Sequence, residues 1–321
     1  MKKLRWGIAG PGIIARKFAE AVKNTECAAL VAVASGTAGK AAAFAAEFEI
    51  EKYYDSYEDM AADKDIDAVY VSTAHPFHRP CAEVFIRGGK HILCEKPMCV
   101  NAEDAKKLKA LADENGVFLM EAMWSAFLPA VRGALEAVRR GDIGEPMGMS
   151  ADFCYSIETE EDPKLFEEGL CGGSLLDVGV YCLWLSYTLF GKPESVSAFS
   201  NVCNGVDLHT QAILEYKGGK IATVSSAIKL EKPFDAYIYG EKGRIYLPFF
   251  YKADSYKICL NDGSVEERKH PYGDNGFEFE IKEACRCINE GLTESGIHPL
   301  SDTVSVLEIS DKIKKLIGLR F

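Results

Sequence analysis

Near its start the chain carries a short, mainly apolar run, Leu4–Ala9, interrupted only by Arg5, followed by a glycine-rich turn and a segment to about Lys23 in which apolar positions recur every three to four residues. Short apolar runs mark strands and a 3.6-residue period marks helices, so this stretch predicts strand, turn, helix. The pattern repeats as a strand over 29–34, a helix over 38–48 and strands over 68–72, 91–94 and 118–121, with helical segments between them. Strands that alternate with helices make parallel sheets through right-handed crossovers. Residues 1–124 therefore predict a doubly wound parallel sheet, α/β in class.

The pattern then changes. A linking helix near 129–140 leads into strands over 147–155, 195–202, 209–216, 220–228, 236–240, 244–247 and 256–260. Hairpin signals stand at Gly218-Gly219, Glu241-Lys242-Gly243 and Asn261-Asp262-Gly263, so 125–321 predicts an α/β domain with a large, mostly antiparallel open sheet. Two helices, Phe277–Asn289 and Leu300–Ile317, close the chain. The strands are rich in small or hydroxylated residues such as Thr223, Ser225, Ser226 and Ala227. With few helices to cover them, one sheet face is expected to meet a second copy of the chain, as a homodimer or a dimer of dimers. The longest uncharged apolar stretch, 178–191, is too short for a bilayer and reads as a buried helix.

Composition narrows the function classes. With 321 residues, 48% hydrophobic and 26% charged, the chain is globular and long enough for two domains. Its net charge of −11 argues against nucleic acid and anionic membranes as partners. Eleven scattered cysteines and an N-terminus that enters a strand without an apolar leader predict a cytoplasmic setting with reduced thiols.

Four segments carry candidate chemistry. The first is Gly10-x-Gly12-x-x-Ala15, between the first strand and helix. A helix that starts at such a turn offers free N–H groups and its positive dipole end to a pyrophosphate; Gly10 permits the tight turn and Gly12 the close approach. About twenty residues on, where an NAD site places an acid on the ribose, stands Ser35-Gly36-Thr37-Ala38-Gly39-Lys40. With no acid to repel a 2′-phosphate, and two hydroxyls and an ammonium to hold one, NADP is favoured over NAD.

The second segment, Thr73-Ala74-His75-Pro76-Phe77-His78, follows a parallel strand at the edge where open α/β sheets bind ligands. Its H-x-x-H spacing lies in a loop without a third ligand, so no metal site is expected; Cys285-Arg286-Cys287 likewise reads as plain thiols. The third, Cys94-Glu95-Lys96-Pro97, aims a lysine at the sheet rim, where it can move protons or favour a neighbour's anion. The fourth is Gly172-Gly173-Ser174-Leu175-Leu176-Asp177-Val178-Gly179-Val180-Tyr181: a glycine turn before an apolar helix that carries Asp177 and Tyr181 on one face. A tyrosine hydroxyl gives up its proton more readily beside an ammonium. Taken alone, Asp177 reads as an ordinary helix-start carboxylate and Tyr181 as a core aromatic. The acidic stretch Glu158-Thr159-Glu160-Glu161-Asp162 reads as solvated surface.

In this order and spacing, Gly10-x-Gly12-x-x-Ala15, Glu95-Lys96-Pro97 and Gly172-Gly173-x-Leu175-x-Asp177-x-Gly179-x-Tyr181 resemble the glucose-fructose oxidoreductase, inositol dehydrogenase and MocA family. Thr73-x-His75-Pro76-x-His78, Met120-Glu121-Ala122-Met123-Trp124 and a tyrosine at 181 look most like its dihydrodiol dehydrogenase branch. Two departures are Gly36, where NADP-binding relatives often carry arginine, and Ser125 after Trp124.

The resemblance implies a Rossmann domain, a second α/β domain whose open sheet forms a dimer interface, and a nicotinamide between them. It implies cofactor contacts from Gly10, Gly12, Ile13, Ile14, Ser35, Gly36, Thr37, Lys40, Thr73, His75, His78, Glu95 and Lys96. Lys96 and Tyr181 are implied at the reacting carbon, with Asp177 and Trp124 on the substrate. The activity so implied is reversible hydride transfer between NAD(P) and a hydroxyl- or carbonyl-bearing carbon of a sugar, polyol, dihydrodiol or dicarbonyl. Two alternatives stay open: an NAD-dependent glycosidase acting by transient oxidation, and a non-catalytic nicotinamide-binding regulator.

Overall fold

A computed structural model describes residues 2–273 and 275–321. The chain forms two compact units, one of Met1–Cys99, Glu103–Trp124 and Gly273–Thr303, the other of Val100–Ala102, Ser125–Tyr272 and Val304–Phe321.

The first unit is built on β1 (Leu4–Ala9), α1 (Ile13–Lys23), β2 (Ala28–Ala34), α2 (Lys40–Phe48), β3 (Lys52–Tyr54), α3 (Tyr57–Ala62), β4 (Ala68–Val71), α4 (His78–Arg87), β5 (His91–Glu95), α5 (Ala102–Asn115) and β6 (Leu119–Ala122). Its six strands are all parallel, in the order β3-β2-β1-β4-β5-β6. The sequence order reverses between β1 and β4, and in open α/β sheets that reversal opens a crevice for ligands. Every residue of β4 is buried, as expected of a central strand covered by helices on both faces. Trp6, Phe18 and Tyr70 fix α1 to the sheet, with the Phe18 and Tyr70 rings stacked 3.9 Å apart.

The second unit takes α6 (Pro129–Arg139), β7 (Pro146–Cys154), α7 (Val180–Phe190), β8 (Ser195–Cys203), β9 (Val206–Tyr216), β10 (Lys220–Ala227), β11 (Ala236–Gly240), β12 (Gly243–Leu247), β13 (Ser255–Leu260) and β14 (Val265–Lys269). Its eight strands run β14-β13-β12-β11-β7-β10-β9-β8, antiparallel except for the parallel β7–β10 pair. Helix α7 packs on β7 and β10. By length and composition Glu168–Phe190 would pass for a membrane span, yet 83% of its apolar window is buried, the behaviour of an interior helix. On the sheet's other face Phe199 is 80% exposed and Ile213, Ile221 and Tyr239 are each more than 40% exposed. Helix α8 (Phe277–Asn289) returns to the first unit, and α9 (Leu300–Ile317) begins there and continues in the second.

Three local features differ from the sequence expectation. Strand β3 is only three residues long, and β14 reads Val-Glu-Glu-Arg-Lys with four of its residues exposed. Both are sheet edges; in β14 charge blunts the apolar alternation that announces a strand, and β3 is too short to show one. The regular apolar helix expected after Gly173 begins instead as a single π turn, Leu175–Gly179, before α7 takes over at Val180. Such one-turn insertions are rare and concentrate at functional sites.

Candidate active site

In the first unit, β1, β4 and β5 deliver three loops to the carboxyl edge of one parallel sheet. Gly10 has φ +93°, and a Cβ there would stand 2.9 Å from the Thr73 amide nitrogen, so only glycine lets the turn after β1 pass the turn after β4. Gly12 caps α1 with no side-chain partner, α1 has no acid in its first turn, and a Cβ on Gly12 would meet nothing within 4 Å. The open space above Gly12 and the uncapped N–H groups of Ile13 and Ile14 fit a pyrophosphate.

At the end of β2 the buried Ser35 hydroxyl accepts the Thr37 amide (3.1 Å), and Gly36, Thr37, Gly39 and Lys40 stand exposed. Lys40 is the first residue of α2, with Gly39 as its cap. No carboxylate lies between Ser35 and Lys40.

After β4, His75 opens a short 3-10 turn and its ring lies 5.8 Å from that of His78. His78 is buried with Nδ1 on the Pro97 carbonyl (2.8 Å) and Nε2 on the Thr73 carbonyl (2.9 Å). Burial pushes its pKa down. A neutral ring donates from only one of these nitrogens, so one carbonyl holds it by a hydrogen bond and the other faces it.

Strand β5 ends at Glu95, and the Lys96–Pro97 peptide is cis. Glu95 is buried; it accepts the Tyr70 hydroxyl on Oε1 and the Lys96 amide on Oε2 (3.1 Å). Burial pushes its pKa up to about 7, against the pull of the Lys96 ammonium. The next amide, Met98, donates to Glu121 (2.9 Å), whose other oxygen takes His298 Nε2 and the Thr303 hydroxyl, each at 2.9 Å. Burial alone would raise Glu121; the bonds from His298, Met98 and Thr303 outweigh it and hold this carboxyl below its ordinary value. Trp124 stacks on Phe277, with ring centroids 5.2 Å apart.

The second unit builds its candidate residues around a different buried carboxylate. Asp207 of β9 takes the Ser174 hydroxyl (2.7 Å), the Thr210 hydroxyl (2.7 Å) and the Leu175 amide (2.9 Å) on one oxygen. It thereby caps the start of the π turn. Burial pushes its pKa up to about 6. Gly173, at φ +115°, lies so close that a Cβ would collide with the other Asp207 oxygen.

From this anchored start the chain presents Asp177 and Tyr181 toward the end of β7. Asp177 accepts the Tyr155 hydroxyl at 2.8 Å, and Tyr181 lies 5.5 Å from the Phe153 ring and 6.2 Å from the Tyr251 ring. Phe153 and Tyr251 are themselves stacked at 4.2 Å, and the Tyr251 carbonyl takes the Ser125 hydroxyl (2.5 Å). Burial, and then the Asp177 charge, push the Tyr155 pKa up. Of the acidic stretch 158–162, all but Asp162 is exposed; burial and the Asp177 charge raise Asp162.

Lys96 therefore sits in the first unit with the dinucleotide loops and Trp124, while Asp177 and Tyr181 share one face in the second. Sequence reasoning missed Asp207, Tyr155, Phe153, Tyr251 and His298. None lies in a recognisable motif: Asp207 follows an ordinary Asn-Gly turn, and His298 is 177 residues from its partner.

Comparison with known proteins agrees with this architecture. Residues 4–123 match the model of an oxidoreductase family with an NAD-binding Rossmann fold, and 131–246 match the C-terminal domain of the same family. The chain is 38% identical to the trans-1,2-dihydrobenzene-1,2-diol dehydrogenase of Mus musculus over 75% of its own length and 73% of that protein's. It is 31% identical to the Sus scrofa enzyme of that name over 99% and 98%. Among solved structures it is similar to an aldose-aldose oxidoreductase from Caulobacter crescentus, complexed with glycerol (26% identity, TM-score 0.89, covering 99% and 98%). A 3-ketoreductase from Actinomadura kijaniata, complexed with TDP-benzene and NADP, shares the fold at 22% identity (TM-score 0.88, covering 98% of each chain).

Proposed function

Because the chain belongs to the glucose-fructose oxidoreductase, inositol dehydrogenase and MocA family of NAD(P)-binding oxidoreductases, we propose that Lys96, Asp177 and Tyr181 carry its chemistry. The observation that carries the reading is the delivery of Gly10–Gly12, Thr73–His78 and Lys96 to one carboxyl edge of the parallel sheet.

The nicotinamide, when bound, supplies the hydride acceptor or donor. Tyr181, as the tyrosinate that the Lys96 ammonium favours, takes the substrate hydroxyl proton in oxidation and, as the phenol, returns it in reduction. The Lys96 ammonium also orients the reacting oxygen. Asp177, steadied by the Tyr155 hydroxyl, accepts a second substrate hydroxyl. The stacked Phe153 and Tyr251 rings beside Tyr181 keep water from its flank.

The substrate class is a small vicinal hydroxyl or carbonyl compound: a cyclic diol, aldose, polyol or dicarbonyl. The dihydrodiol dehydrogenase names of the relatives favour the diol. NADP is the preferred cofactor; Thr37 and Lys40, exposed at the start of α2 with no acid among them, support this. The exposed apolar residues Phe199, Ile213, Ile221 and Tyr239 support a homodimer through the open sheet face. Eleven free thiols and the −11 charge support a cytoplasmic enzyme with a small-molecule partner, acting on neither nucleic acid nor membrane.

Substitution tests the assignment. Tyr181→Phe and Lys96→Met should each cut turnover roughly a hundredfold while sparing NADP affinity, the usual size of an acid-base effect. Unchanged turnover in both removes it.

A further inference from the structure

Three consecutive residues at the Lys96 turn are tied down through their backbone by buried titratable side chains. The Lys96 amide donates to Glu95 (3.1 Å), His78 meets the Pro97 carbonyl (2.8 Å), and the Met98 amide donates to Glu121 (2.9 Å). Each side chain is itself held from behind: Glu95 by the Tyr70 hydroxyl, His78 by the Thr73 carbonyl, Glu121 by His298 and Thr303. His298 and Thr303 come from the segment that returns to the first unit from beyond residue 272.

A buried carboxylate and histidine are a poor device for stability alone, because an apolar pair of the same volume commonly does as well or better. Their use is geometric. A turn of three residues has no ladder of its own, and fixing each of its polar groups fixes where β5 points the lysine stem.

We propose that Glu121, with His298 and Thr303 behind it, is a positioning residue for Lys96: the returning segment sets the place of the ammonium through the backbone of the turn. The inference rests on the reading of Lys96 as a catalytic group.

The test uses the full chain. Thr303→Val removes one hydroxyl at nearly constant shape, Thr303→Ser restores it, and Glu121→Gln removes the charge. Deuterium uptake by the free protein in the peptide spanning Lys96 to Met98 should rise roughly tenfold in Thr303→Val and Glu121→Gln, about the factor one lost hydrogen bond carries, and return to the wild-type rate in Thr303→Ser. NADP binding, read by quenching of tryptophan fluorescence, should change by less than about threefold, because the phosphate loops are untouched. Turnover should fall about tenfold at unchanged KM, the split expected of lost orientation. Wild-type uptake in both variants overturns the proposal, as does uptake raised evenly across the unit or an equal loss of NADP binding. If Lys96→Met retains full turnover, the catalytic reading fails by itself, and the uptake result still reports whether Glu121 fixes the turn.

Discussion

Glu95→Gln turns the burial of one carboxyl into a pH signature. In the folded chain Glu95 lies buried between the Tyr70 hydroxyl and the Lys96 amide, and burial raises its pKa from 4.5 to about 7. Below pH 4.5 the group is protonated in both folded and unfolded chains and costs nothing. Between pH 4.5 and 7 the unfolded chain releases the proton while the folded chain keeps it, so stability falls with rising pH. Above 7 the deficit is constant, about 3 kcal/mol at 1.36 kcal/mol per unit of pKa. Glutamine keeps the shape, accepts the Lys96 amide through its oxygen and offers an N–H to the Tyr70 oxygen, but it cannot ionise. Urea unfolding of both proteins at pH 5, 6, 7 and 8, followed through the fluorescence of the fully buried Trp6, compares them directly. The advantage of Glu95→Gln should grow by about 2.5 kcal/mol between pH 5 and 8, part of the deficit being already present at pH 5, with every other titrating group cancelling in the difference. A difference that stays flat with pH refutes the assignment of a buried, proton-holding Glu95.

Further outcomes follow from the same geometry. Asp207→Ala leaves the Ser174 and Thr210 hydroxyls and the Leu175 amide without their acceptor, and should destabilise the second unit by about 3 kcal/mol in urea unfolding. Gly10→Ala and Gly12→Ala should separate folding from binding. The first meets Thr73 and a positive φ and should lower the melting temperature, whereas the second meets nothing in the free protein and should melt normally yet lose NADP affinity. Lys40→Ala should weaken NADP roughly tenfold in titration calorimetry and leave NAD unchanged, through loss of one charge-assisted contact.

Much of the frame was legible in the chain itself. The apolar runs of β1, β2, β4 and β5 and the glycine turns announced the parallel sheet, since a strand buried on both faces has no polar positions to blur it. The edge strand β14 escaped because charge and exposure remove the apolar alternation, and β3 because three residues are too few to show one. Lys96, Asp177 and Tyr181 stood out through the resemblance of their motifs to a known family. The groups that hold them did not: Glu121 reaches the Met98 amide from 23 residues away, Asp207 the Leu175 amide from 32 and His298 its partner Glu121 from 177, and nothing local marks a carboxylate as a backbone anchor. The π turn escaped too, because Leu175–Gly179 carries the same apolar pattern as a regular helix and is set by tertiary contacts with β9 and β10.

The central claim is net hydride transfer through this chain's own Lys96 and Tyr181. It is tested most directly by nicotinamide absorbance at 340 nm with NADP and a panel of cyclic diols, aldoses, polyols and dicarbonyls, run on the wild type and on Tyr181→Phe and Lys96→Met. The account predicts stoichiometric absorbance change with at least one class, faster with NADP than with NAD, and its loss in both variants with NADP binding intact. Product formed without net absorbance change, or turnover that survives both substitutions, would contradict it.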